Sequence, residues 1–145
     1  MTYIKTDITF TPIAISNNIN TRFTELQTTR LHLSPTKTTE IPNVYIPPRD
    51  SRNPDQANSD QDITNLITHI LASDRTIMTG DFNAHDGLWH SPMTDHRGQL
   101  IADLLTNSDH VTLNQDTPTR RPRRDQQPTS PDISSATDSL YRHFT

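Results

Sequence analysis

The chain has 145 residues, no cysteine and a formal charge of -4, which excludes disulfides and leaves no overall field to draw it to nucleic acid. Hydrophobic residues make up 30%, against about 45–50% in ordinary globular domains with glycine counted, so the core is expected to be thin. There is no apolar run long enough to cross a bilayer and no signal-peptide pattern, which predicts one soluble intracellular domain, or part of one.

Residues 3–15 place Ile4, Ile8, Phe10, Ile13 and Ile15 mostly at even spacing among threonines, predicting one or two strands. Residues 22–33 end with Leu31 and Leu33 alternating against Arg30 and His32, another strand, and Pro35 marks a turn. In residues 41–46 Val44 and Ile46 share one face of a third strand and Asn43 and Tyr45 the other, so Tyr45 emerges at the strand end on the polar side, before Pro47-Pro48. Residues 49–59 form a polar loop. Ser59 with Asp62 has the spacing of a capping box, and Ile63, Leu66, Ile67, Ile70 and Leu71 then follow the helical period.

Strand 76–80 opens on Gly80 into Asp81-Phe82-Asn83-Ala84-His85. At the C-terminal edge of an α/β sheet such a run suits a phosphate or metal site. Asp81 offers a hard anionic oxygen for a cation or a water proton, Asn83 an uncharged donor for a phosphoryl oxygen. Gly-Asp before Asn is equally ordinary turn chemistry. A calcium loop is excluded, because Pro92 stands where its bidentate glutamate belongs. His85, His90 and His96 are spaced as zinc ligands could be, although a solvated scatter is the simpler reading. Trp89 is expected to anchor the core beneath this loop, and Arg97 to be a solvated helix-start residue. Leu100, Ile101, Leu104 and Leu105 predict a second helix, capped by Asp95 and ending near Asn107. Residues 111–114 read as a short strand, with His110 at its start, and 115–130 as a proline- and arginine-rich loop. Its Arg120, Arg121, Arg123 and Arg124 are the one concentrated basic run, either solvated or laid on a DNA backbone. An extended piece at 132–136 is the last predicted element.

Four pieces in this order resemble the endonuclease/exonuclease/phosphatase superfamily, and within it the apurinic-type endonuclease domain of non-LTR retrotransposons of the kinetoplastid type. They are Asn43-Val44-Tyr45-Ile46-Pro47-Pro48-Arg49-Asp50, the Gly80 to His85 run with Trp89, Asp95-His96-Arg97-Gly98, and Ser130-Pro131-Asp132-Ile133. The resemblance implies a deoxyribonuclease I-like four-layer α/β sandwich, two mixed sheets with outer helices, of which residues 1–145 would be a single partial domain. It implies metal-dependent nicking of target DNA, with Mg²⁺ or Mn²⁺, to prime a reverse transcriptase in the same polyprotein. Asp81 would hold the metal and orient or deprotonate the attacking water. Asn83 and Tyr45 would contact the scissile phosphate, and Asp132 would orient an imidazole. A loop in the place of the four arginines helps choose the nick site in that family.

The family's N-terminal Asn and metal-binding Glu, and its terminal Ser-Asp-His, have no counterpart at the matching places. Ser108-Asp109-His110 copies the last motif but precedes Asp132. The chain is therefore expected to lack both ends of the domain and to be inactive alone. Other readings are a non-catalytic nucleic-acid-binding remnant using the arginine loop, and a phosphatase of small phosphoesters. No membrane partner is expected, and a functional copy would act in the nucleus.

Overall fold

Six strands pair into one sheet in the order β1-β2-β3-β4-β6-β5. The computed structural model that shows this describes residues 4–17, 19–49, 56–120 and 128–143, with backbone alone for 56–58. The strands are β1 (Phe10–Ile13), β2 (Glu25–Ser34), β3 (Lys37–Tyr45), β4 (Ile77–Asp81), β5 (His110–Thr112) and β6 (Asp132–Thr137). β2 and β3 form a long antiparallel hairpin, turned at Pro35 as its restricted φ favours. β3 and β4 are parallel, a pairing that requires a crossover. Helix α1 (Gln56–Leu71) supplies it.

Helix α1 and helix α2 (His96–Thr106) cover one face of the sheet. Ile63, Leu66 and Ile67 of α1 and Ile101 of α2 are fully buried with Met78, Phe82, Trp89 and Ile133. Period 2 in the strands selects Leu26, Val44, Met78 and Ile133 for that face. On the opposite face Phe10 and Leu33 are exposed. The described residues thus form a sheet with helices on one side, half of the layering that the resemblance implies.

Several local expectations shift. Of the described residues 4–15 only Phe10–Ile13 is a strand, and β2 begins at Glu25 rather than at residue 22. Ser59 does not cap α1, because the helix starts at Gln56 and Ser59 lies buried inside it. It sits one turn before Ile63, on the same core-facing stripe. β5 starts one residue earlier than expected and ends at Thr112. The expected cap holds at α2, where the Gly98 N–H donates to the Asp95 carboxylate at 2.7 Å.

Candidate active site

β4 ends on Asp81, and the strand register sets it beside Tyr45 of β3 and Asp132 of β6. Tyr45 in turn lies opposite Glu25 of β2. Directly opposed residues share a face and begin roughly 4.5–5.5 Å apart at Cβ, so Glu25, Tyr45, Asp81 and Asp132 form one row across four strands. The row points away from the helices, since the alternating partners Leu26, Val44 and Ile133 are buried against them. An open groove of about 540 Å³ runs along it, lined by Asn20, Glu25, Gln27, Asn43, Tyr45 and Asp81. A larger groove, about 1060 Å³, lies at the other end of β6 against Asp74, His110 and Asp138, away from this row.

Beyond Asp81 the strand does not continue. Asn83 is left-handed at φ 45, a conformation that Asn tolerates better than most residues. Its N–H donates to Asp81 Oδ1 at 3.1 Å, and its Nδ2 donates to the Ile46 carbonyl at 3.0 Å. Asn83 is therefore fixed between the ends of β3 and β4 with one amide hydrogen and its Oδ1 left for other use. The Ile46 N–H donates to the Asp81 carbonyl and the Phe82 N–H to that of Pro131, which ties three strand ends together. Asn114 secures the start of β6, donating to the Asp132 carbonyl at 2.9 Å and accepting from the Ser134 N–H at 2.8 Å.

Helix α2 buttresses this corner. A Cβ on Gly98 would overlap the His85 carbonyl, so only glycine lets the first turn lie against the loop. Arg97, expected in solvent, is 3% exposed. Its Nη1 donates to the carbonyls of Pro47, Phe82 and Asn83 at 3.0–3.1 Å, because the register of α2 aims it at two strand-end loops. Burial chiefly, and the like charge of Arg49, lower its pKa from the usual guanidinium value. Trp89 is fully buried, as expected of an anchor, with Nε1 donating to the Ala84 carbonyl.

The zinc arrangement is not assembled. His85 meets Ser91, His96 meets Asp60 across 2.8 Å, and His90 is exposed in a left-handed cap. Among the described residues no group of three His, Asp or Glu is gathered as a metal cage. Ser108-Asp109-His110 is equally remote: His110 pairs with Thr137 at the end of β6 opposite Asp132, and five strand residues span about 17 Å. Arg120 pairs with Thr129 in an isolated antiparallel bridge. Arg121, Arg123 and Arg124 lie outside the described residues.

Glu25 and Asn114 are not legible as site residues in the sequence. Neither sits in a local motif, and only the pairing of β2 with β3 and the approach of the β5 exit to β6 bring them here. The donors present suit a hard cation: Asp81 Oδ2 and both Asp132 carboxylate oxygens accept no protein hydrogen bond among the described residues. Mg²⁺ commonly uses only one or two carboxylates and keeps several waters. Asp81, with Asp132 beside it, fits that habit.

A carboxylate row at the strand ends of a helix-backed mixed sheet is an α/β architecture consistent with the deoxyribonuclease I-like fold that the resemblance implies. The solved endonuclease domain of TRAS1, a telomere-specific non-LTR retrotransposon, is similar in fold, with a TM-score of 0.64 at 18% identity over 93% of this chain and 56% of that one. This chain therefore spans little more than half of the domain it matches. No match was found among curated proteins. The endonuclease-reverse transcriptase family model matches residues 39–144, and the chain belongs to that family.

Proposed function

We propose that this chain carries the phosphodiester-cleaving corner of a retrotransposon endonuclease that nicks target DNA in a Mg²⁺- or Mn²⁺-dependent reaction, leaving a 3′-hydroxyl for a reverse transcriptase in the same polyprotein. The row Tyr45, Asp81, Asp132 with Asn83 pinned beside it carries the reading. Phosphoryl transfer asks the protein mainly for in-line positioning and charge stabilisation. Asp81, its Oδ1 steadied by the Asn83 N–H, orients the attacking water and would hold the cation with its other oxygen. Asn83 donates its remaining amide hydrogen to a phosphoryl oxygen, and the exposed Tyr45 hydroxyl gives a second contact. Asp132 is the carboxylate available to orient an imidazole supplied by the rest of the domain. Bound Mg²⁺ would add neutralisation of phosphate charge.

The arginine loop from Arg120 to Arg124 is read as the DNA-backbone contact. A second reading is a nucleic-acid-binding remnant that uses the arginine loop without turnover. Plasmid nicking with Mg²⁺ by this chain joined to the remainder of its domain separates the two. Asp81→Ala or Asn83→Ala should then lower the rate by about 10²–10³, as removal of a transition-state interaction does, with DNA affinity kept. Undiminished nicking by either variant would remove the assignment.

A further inference from the structure

We infer that Arg97 is a positioning residue, a buried cationic clamp that holds the loop after β3 and the loop after β4 in the relative geometry on which Asn83 and Tyr45 depend. The inference rests on the endonuclease reading of this corner for its catalytic consequence, but its structural content stands separately.

The carbonyls that Arg97 gathers belong to Pro47, two residues past Tyr45, and to Phe82 and Asn83, which follow Asp81. Where β3 and β4 end at Tyr45 and Asp81, the Ile46 N–H still donates to the Asp81 carbonyl at 2.9 Å, and no backbone bond joins the loops past that point among the described residues. The side-chain bond from Asn83 to Ile46 crosses the same gap. All three bonds leave Nη1, whose two hydrogens are shared among the three carbonyls and held in the plane of a rigid guanidinium, whereas a lysine ammonium sits free to turn on a flexible stem. A hydrophobic side chain here would leave those carbonyls without their donor. Here the cation has no carboxylate within ion-pair distance among the described residues, and its Nε is buried with no hydrogen-bond partner. Asp95, Asp60 and Asp81, in that order, act on it electrostatically, and a fixed positive charge beneath a phosphate-binding corner favours negative charge that develops there. Gly98 and the Asp95 N–H, which donates to the His85 carbonyl at 2.9 Å, keep α2 seated so that the clamp cannot withdraw.

The test compares this chain with Arg97→Lys, which keeps the charge but not the rigid planar donor, and Arg97→Met, which loses both. Amide hydrogen exchange is followed by NMR at the Asn83 backbone and side-chain amides and at Ile46, with Leu26 and Val44 of the hairpin as internal controls. Arg97→Lys should melt cooperatively and leave Leu26 and Val44 protected while exchange at Asn83 rises about tenfold or more. In the domain-completed protein the same substitution should lower kcat about 10²-fold, the usual cost of a small misplacement of reacting groups, with KM within about twofold. Arg97→Met should lower kcat further. Unchanged exchange at Asn83 in a folded Arg97→Lys protein overturns the inference. Global loss of folding in both variants overturns it too, because Arg97 would then be a general core brace. If the unsubstituted domain does not nick, the nuclease reading fails alone and the exchange data still decide the role of Arg97.

Discussion

Asp81 and Asp132 face each other across β4 and β6, and like charges directly opposed in a sheet destabilise it by about 0.2–1 kcal/mol. Asp132→Asn should therefore raise Tm in metal-free buffer, by about 1–4 °C for a chain of this length. Adding Mg²⁺ should raise the unsubstituted chain more than the variant and narrow the gap. A melt in which Mg²⁺ lifts both equally would argue against a cation between these carboxylates. His110 gives a second, independent test. Burial lowers its pKa, with nearby Asp109 opposing weakly, so the fold holds the imidazole neutral while the unfolded chain takes up the proton first. Stability then falls as pH drops from the usual histidine value toward the lowered one. Between about pH 7 and about pH 5, on either side of the ordinary histidine pKa, the chain should lose Tm more steeply than His110→Asn. That variant can still reach Ser135, which His110 Nδ1 meets at 3.1 Å. Parallel curves would show that His110 does not drive the slope.

At the level of elements, the site is made by ends rather than by middles. β3 and β4 end and β6 begins in register, and α2 starts against the loop that leaves β4. Gly98 shows the cost of that docking. Alanine normally gains about 1 kcal/mol over glycine inside a helix, but here its Cβ would strike the His85 carbonyl. Gly98→Ala should thus destabilise the chain by about 1–3 kcal/mol, the usual range for overpacking. Chemical denaturation measures it, and a stabilised variant would show that α2 is not seated against the loop. Gly80 has the same relation to the Val44 carbonyl, its direct partner where β4 pairs with β3.

For the whole molecule, a charge of -4 makes any DNA binding local. The run Arg120, Arg121, Arg123 and Arg124 is the concentrated source of positive charge in the sequence. Replacing Arg120, Arg121, Arg123 and Arg124 by serine should flatten the log–log salt dependence of duplex binding, by about 0.9 for each phosphate that is no longer neutralised. An unaltered slope would mean that the loop is solvated. The sheet is also asymmetric, with helices on one face and Phe10 and Leu33 at 49% and 56% exposure on the other.

The sequence by itself determined the parts whose signals are local. Periodicity located α1 and α2, alternation put Tyr45 on the polar side of β3, and the Asp81-Phe82-Asn83 run marked the strand exit, because side-chain period and turn chemistry depend on near neighbours. The solvent reading of Arg97 failed for the opposite reason: its environment is set by carbonyls from residues 47, 82 and 83, and nothing within its own helix announces them. Glu25 entered the row only through the register of a hairpin, and Asn83 left the strand geometry through a bond to Ile46. The histidines were separated by their individual partners, which spacing along the chain cannot reveal. Which residues share the corner was decided by tertiary structure alone, because strand register and helix docking join positions that sequence distance keeps apart.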